Sequence, residues 1–433
     1  MSNRRDFLKT VTAASSVAGA PAVLAQQSSS KNINVAVIGV GTRGIYLLEE
    51  VQRCPGVTVR WIADLYDANM QRAVKACKNP KVQTTKEWEK AATASDVDAV
   101  MIATPDFWHA RMSVRAAEAK KHVYVEKGLC RTLDEAKAIR RAVKDNKVVL
   151  QLGHHQNSDP TYIKAREIYE SGKLGKVTLA RTYIDRTSQY PEWQFYTAYN
   201  INETPKDANQ QTIDWNRWIA NAPERPFDVE RFFRWRCFWE YGTGIAGDLM
   251  SHQWDGVNCV MNVGIPEAVI TQGGLYFWKQ DRTVPDQWHV MFEYPKKELA
   301  IQFNCTFHNR HQGTNTHILG RDGSIEVGGS HCRFYEAEWK PESNAIMGKL
   351  RRAASTAGQD PESVTLPPSY TMKRGELEVS NHVQNWIDCV RSGDTPRCGV
   401  DRAYDEAVTI VMSVESYFKE RKVKWDPVNE VII

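Results

Sequence analysis

The 433-residue chain has nine cysteines, at positions 54, 77, 130, 237, 259, 305, 332, 389 and 398, but no Cys-x-x-Cys pair among them. That lack removes the usual structural zinc site and the thioredoxin-type redox motif. An odd count leaves at least one thiol free, and Cys259 stands in an apolar stretch where a small buried hydrophobe is the plain reading. Cys389 and Cys398 flank a turn-like Ser392-Gly393-Asp394 and would be able to pair in an oxidising compartment. Charge of one sign is also scarce: the formal net charge is +4, so no nucleic-acid partner is indicated. No stretch approaches the roughly 20 uninterrupted apolar residues of a membrane span. There is no internal repeat and no low-complexity tract beyond Ser28, Ser29 and Ser30. What remains is a soluble globular composition, with 42% hydrophobic and 25% charged residues. The length favours two domains, because single cores stop growing at about 250 to 300 residues.

The N-terminus carries a pattern of its own. Arg4-Arg5-Asp6-Phe7-Leu8-Lys9 precedes a mildly apolar run over residues 11–24 that ends in Val23-Leu24-Ala25. Paired arginines, an apolar run and small residues in that order predict a twin-arginine signal cleaved near Ala25. Residues 1–30 are therefore set aside as signal and linker. The mature protein is expected to be periplasmic or otherwise exported, with the twin-arginine export machinery as a partner and no membrane span after cleavage.

The mature chain opens on alternating strand and helix patterns. An apolar run at 33–38 stops at a glycine, residues 43–54 have helical spacing, and 57–63 is again β-rich, so strand, helix and strand follow within about thirty residues. The alternation continues with helices near 67–77, 108–119 and 133–145 and strands at 99–103, 122–126 and 148–152. This predicts an α/β, doubly wound parallel sheet, a Rossmann domain over residues 31–153. After a helix near 160–171 the rhythm changes. β-rich stretches at 176–185, 268–278, 288–294, 299–308 and 316–327 predict a substrate-binding α+β domain over 154–433 with a mostly antiparallel open sheet. Long aromatic loops, a polar surface loop over about 336–375 and helices near 380–391 and 401–419 complete it.

Gly39-Val40-Gly41-Thr42-Arg43-Gly44 ends the first strand and opens the first helix. In that context Gly39 permits the tight turn, Gly41 lets a pyrophosphate approach the backbone and Gly44 allows close helix–strand packing. Asp64 stands at the end of the second strand, twenty residues after Gly44, where a carboxylate accepts from both ribose hydroxyls and repels a 2′-phosphate. NAD is thus favoured over NADP, with Arg43 and Arg60 as the nearby cations bearing on the choice. Ala103-Thr104-Pro105-Asp106-Phe107-Trp108-His109 and Glu126-Lys127-Gly128 follow later strands, at the ends where ligands bind. Thr42, Arg43, Thr104, Pro105, His109, Glu126 and Lys127 join the glycines and Asp64 as expected cofactor contacts.

Those stretches, with Gly247-Asp248-Leu249-Met250-Ser251-His252 and the ending Asn381-His382-Val383-Gln384-Asn385-Trp386, resemble the glucose-fructose oxidoreductase/inositol dehydrogenase/MocA family over nearly all of the mature chain. The family's usual Glu-Lys-Pro is Glu126-Lys127-Gly128 here. The resemblance implies that Lys127 and His252 contact the reacting hydroxyl, with His252 as general acid/base and Asp248 orienting it. Four residues apart, Asp248 and His252 share a face of a helix expected to start near Asp248. His155 and Gln156, after the last Rossmann strand, and Trp235, Arg236 and Trp239 are expected to meet substrate. Aromatic faces cover apolar sugar faces while an arginine bonds hydroxyls. His154 and His155 are adjacent, but neighbours in an extended segment point opposite ways, so no metal is expected.

The expected function is an exported oxidoreductase that uses tightly bound NAD to oxidise or reduce a hydroxyl of a sugar or glycoside. Export implies retention of the cofactor, since the compartment outside does not replenish NAD. The alternative is a redox-neutral, NAD-dependent glycosidase like those of family 109, which Trp235-Arg236, Trp239 and His252 resemble. The tyrosine those enzymes place three residues before the histidine is Leu249 here. A non-catalytic NAD-binding protein is the lesser alternative. Besides the carbohydrate, the expected partner is a second copy of the chain in a homo-oligomer.

Overall fold

In the computed structural model the described residues are 32–193, 204–279 and 281–433. The arginine pair and the apolar run of the N-terminus lie outside them. The nucleotide half runs β1 (Ile33–Ile38), α1 (Thr42–Val51), β2 (Val57–Ala63), α2 (Asp67–Ala76), β3 (Gln83–Thr85), α3 (Trp88–Thr93), β4 (Ala99–Ile102), α4 (Asp106–Glu118), β5 (His122–Val125), α5 (Leu133–Asn146) and β6 (Leu150–Leu152). Its six parallel strands are ordered β3-β2-β1-β4-β5-β6, so the chain reverses direction across the sheet between β1 and β4. β4 is buried at every position and β1 at all but one, because helices cover both faces; such strands read as continuous apolar runs. α5 starts at a capping box in which Thr132 accepts from the Glu135 amide and the Glu135 carboxylate accepts from the Thr132 amide.

The second half follows with α6 (Pro160–Glu170), β7 (Val177–Asp185), α7 (Trp215–Ile219), α8 (Val229–Phe233), α9 (Ser251–Met261), β8 (Ala268–Gly274), β9 (Gln287–Tyr294), β10 (Leu299–Thr306), β11 (Thr314–Gly320), β12 (Gly323–Gly328) and β13 (His331–Glu336). It ends with α10 (Pro341–Thr356), β14 (Tyr370–Lys373), α11 (His382–Ser392), α12 (Val400–Lys419), β15 (Val423–Asp426) and β16 (Val431–Ile432). The sheet order is β14-β13-β12-β11-β7-β10-β9-β8-β15-β16. Among the described strands its one parallel pair is β7 with β10. Burial alternates along β9 and β10, as it must when helices α6, α9 and α12 cover a single face.

Several expectations are corrected. Residues 336–375 are not a surface loop: they contain α10, opened by Pro341 at its first position, and β14. Half of the α10 side chains are polar and Ile346 is exposed, so only Met347 and Ala354 reach the interior as apolar anchors and the helical stripe is narrow. The stretch 316–327 is a hairpin, β11 and β12, rather than one run. The short β3 and α3 complete the nucleotide half without an apolar pattern long enough to announce them. Cys389 and Cys398 are both buried free thiols.

Candidate active site

The C-terminal ends of the parallel strands open on a cavity of about 760 Å³. Its floor is the turn between β1 and α1. Gly39 has a φ of +79°, and a Cβ there would sit 2.8 Å from the Ala103 carbonyl carbon and oxygen. At Gly44 a Cβ would fall 1.8 Å from the Gly39 oxygen, so both glycines serve close packing. Gly41 differs, since a Cβ would meet only the Asn69 amide nitrogen at 4.0 Å. The open space above Gly41 adjoins the N-terminus of α1, whose N-cap residue, Gly41, has no side chain to cap it. That arrangement fits a pyrophosphate.

Asp64 closes the far side of the cradle. Its Oδ2 accepts from the Val40 amide at 2.7 Å and its Oδ1 from the Tyr66 amide at 2.9 Å. Burial pushes this carboxyl up, and the backbone donors work against that push. Asn69 Nδ2 also donates to both oxygens at 3.3 Å, so a ribose hydroxyl would share or displace that long contact. Neither nearby arginine is aimed at a 2′-phosphate: Arg60 is bound to Asp96 at 3.0 Å, and Arg43 Nε donates to Glu126 at 2.7 Å. Arg43 also reaches His155, whose imidazole burial and the guanidinium push down to about 3.

The chemical end of the cavity lies where β5 meets the start of α9. A wide π-helical turn, Ala246–Met250, precedes α9, so Asp248 lies one turn before that helix rather than on it. Lys127 Nζ donates to the Asp248 backbone oxygen at 2.6 Å and to Oδ1 at 2.8 Å. Arg236 Nε donates to the same Oδ1 at 3.0 Å. Burial pushes the Asp248 carboxyl up, but Lys127 and Arg236 together hold it well below the usual carboxylate range. Lys127 keeps one ammonium hydrogen for an oxygen in the cavity.

His252 does not take its orientation from Asp248, which the two cations occupy. Gln156 supplies it instead: its Nε2 donates to the His252 carbonyl at 3.0 Å, which places its Oε1 3.3 Å from His252 Nδ1. An amide oxygen only accepts, so the proton sits on Nδ1 and Nε2 keeps its lone pair. Burial, Lys127 and His154 push the His252 imidazole well below its ordinary value, leaving a neutral base.

Gly39, Gly41, Thr42, Arg43, Asp64, Thr104, Pro105, Glu126, Lys127, His155, Trp235, Arg236, Asp248 and His252 all line the cavity. Four other expected contacts do not. Gly44 is spent on packing under Gly39. His109 is fully buried, its ring nitrogens each 2.8 Å from the carbonyls of Gly128 and Thr104, so it pins the two loops together. Gln156 serves His252 and not the substrate. Trp239 packs on Trp288, Tyr417 and Phe418 of the second half.

Phe232 and Phe233, in the aromatic run expected to wall the sugar site, line the cavity, whereas the sequence reading missed Asp106 and the Arg186–Glu192 pair, bonded at 2.7 Å, which line it too. Asp106 had a signal, since it follows β4 inside the Thr104–His109 stretch. Burial pushes its carboxyl up, against His109, Lys127 and Arg236. Arg186 and Glu192 had none, because they arrive from the end of β7 in the other sheet.

Residues 33–154 match the GFO_IDH_MocA model, described as an oxidoreductase family with an NAD-binding Rossmann fold. Residues 211–425 match the C-terminal alpha/beta domain of the same family. Levoglucosan dehydrogenase of Pseudarthrobacter phenanthrenivorans is 26% identical over 318 residues, covering 68% of this chain and 73% of that protein. The NAD(+) scyllo-inositol 2-dehydrogenase of Bacillus subtilis is 30% identical over 232 residues, 50% of this chain and 66% of the relative. An alpha-N-acetylgalactosaminidase of Shewanella oneidensis is 32% identical over 160 residues, 31% of this chain and 35% of that enzyme. Levoglucosan dehydrogenase in complex with NADH and levoglucosan shares the fold, with a TM-score of 0.66 at 19% identity over 91% of this chain and 99% of that one.

Proposed function

The chain belongs to the GFO/IDH/MocA family of NAD-binding oxidoreductases, and from that premise we propose that it oxidises a secondary hydroxyl of a sugar or glycoside on a retained NAD. The observation that carries this reading is the trio Lys127, Asp248 and His252 at the end of a nucleotide cradle, with the Arg236 guanidinium and the Phe232, Phe233 and Trp235 rings beside it. NAD, when bound, supplies the hydride acceptor. Neutral His252 takes the hydroxyl proton at Nε2, and the remaining Lys127 hydrogen bonds the same oxygen as negative charge develops on it. Asp248 keeps Lys127 in place. The rings offer flat apolar surface to a sugar face, and the dehydrogenase relatives act on sugar-like polyols by name.

The twin-arginine pattern at Arg4-Arg5 supports an exported enzyme. Outside the cytoplasm the nucleotide has no replenished pool, so the reading includes its retention through each cycle, with a second carbonyl compound as hydride acceptor. Nucleotide released by heating the purified protein tests retention, and an absence of NAD in the supernatant would remove that part. A panel of glycosides and anhydrosugars, incubated without added cofactor, tests the reaction. Reduced nicotinamide absorbance with a keto-sugar product supports an oxidoreductase. Free aglycone with no net redox change would instead establish the redox-neutral glycosidase, a reading that Leu249, buried and without a hydroxyl, does not help.

A further inference from the structure

His154 lies two residues after the end of β6 and is wholly buried, yet the reaction as described makes no use of it. Its Nδ1 lies against the carboxylate of Glu406 on α12 and 3.5 Å from Asp255 on α9, both buried. Asp255 has further partners, Asn157 Nδ2 at 2.6 Å and Arg402 Nε at 3.2 Å. Among the described residues Glu406 meets no other hydrogen-bond partner, and the His154 ring against it opposes the burial that pushes its carboxyl up. Two buried carboxylates beside one guanidinium leave one negative charge over, and a buried unpaired charge is strongly destabilising. A protonated His154 ring brings the sum to zero.

The same ring leans on the active site. The centroids of His154 and His252 are 5.1 Å apart, with the planes inclined at 43°. We propose that His154 is a positioning residue of the reaction: an imidazolium clamped by Glu406 and Asp255 that faces His252 and sets which form of His252 meets the substrate. This rests on His252 being the base. A fixed positive charge at that distance opposes a second one, so His252 resists protonation from solvent and gives back a proton readily once it has taken one. The charges acting on His252 are Lys127, His154 and His155 on one side of the balance and Asp248 on the other; those acting on His154 are Glu406, Asp255 and Lys127. Against the lowering effect of burial, Glu406 and Asp255 raise the His154 imidazole above its ordinary value.

Nitrogen NMR of the full protein labelled at histidine tests the charge states directly and needs no substrate. His154 is expected as an imidazolium that does not titrate across about pH 6 to 8, with His252 neutral and protonated at Nδ1 throughout. In turnover, His154→Gln and the isosteric Glu406→Gln remove the imidazolium, and the acid limb of kcat/KM is expected to move up by about one pH unit. A neutral His154 in the spectrum overturns the proposal, and so does an unmoved limb in a folded variant. Loss of turnover on every substrate in the wild-type protein would instead strike the proposed function while leaving the NMR result standing. The three side chains offer atoms within 4.8 Å of one another that would also suit a cation. A divalent metal copurifying in stoichiometric amount, and lost in Glu406→Gln, would replace the imidazolium and overturn the proposal.

Discussion

Lys127 spends two of its three ammonium hydrogens on Asp248, and the third is what the proposed reaction uses. Lys127→Met keeps the length of the side chain but removes that donor, and kcat is expected to fall by about 10²- to 10³-fold, the usual worth of one donor to a developing oxyanion. Steady-state rates with saturating sugar and carbonyl acceptor read it. Gln156→Leu leaves every cavity-lining side chain in place and frees His252 to adopt either tautomer. A kcat lowered by about tenfold, roughly the free energy of one hydrogen bond, with KM little changed is the expected result. Lys127, Asp248 and His252 could be proposed from the sequence because the family resemblance singles them out, one at a strand end and two in a short Asp-x-x-x-His spacing. Gln156 could not be assigned its job, which depends on an amide facing a residue 96 positions away. Burial also sets a pH response at this scale. It holds His155 and His382 at about 3 each, against an ordinary value near 6.5. Between those limits the unfolded chain binds more protons than the folded one, so stability falls as pH drops from about 6.5 toward 3, by up to about 1.4 kcal/mol per pH unit for each ring. Urea midpoints measured from about pH 4 to 7 should show this slope, and His382→Asn should flatten it.

The turn between β1 and α1 separates folding from binding within a single element pair. Gly44→Ala drives a Cβ into the Gly39 carbonyl, where the backbone cannot yield, and is expected to abolish soluble folded protein. Gly41→Ala meets nothing nearer than 4.0 Å, so its melting temperature should stay within about 2 °C while NADH affinity drops by tenfold or more. Fluorescence titration with NADH, beside a thermal melt, distinguishes the two. That contrast was legible from glycine spacing alone because the first βα turn is local: strand, turn and helix lie within about twenty residues. α10 and the β11–β12 hairpin were not. α10 presents few apolar anchors to the core, and the hairpin's turn is only two residues long, Arg321 and Asp322, with its flanking glycines, Gly320 and Gly323, inside the strands themselves.

The two sheets are tied together late in the chain. α11 returns to the nucleotide half, where Val383, Trp386 and Ile387 join the cluster that holds Val35, Leu47 and Tyr124. The Trp386 ring lies 5.6 Å from that of Tyr124, and Gln151 in β6 donates to the His382 carbonyl at 2.6 Å. α12 packs on α5 and β6 on one side and on β8 on the other, and it carries Glu406 under His154. Such pairing between residues more than two hundred positions apart has no periodic signature, so the order of the strands and the origin of the site's far wall could not be read before the fold was known. It also fixes what a core mutation should do. Trp386→Ala removes a wholly buried indole from the nucleotide half and should cost about 3–5 kcal/mol. Because α11 and α12 brace both sheets, the melt should shift down as one transition and not split into two. NADH at a fixed multiple of its dissociation constant should still raise the midpoint by a similar free energy, about 2.7 kcal/mol at a hundredfold excess, since the cradle at Gly41 and Asp64 is untouched. A biphasic melt, with only the first phase sensitive to NADH, would show that the nucleotide half stands by itself and that the C-terminal helices merely rest on it.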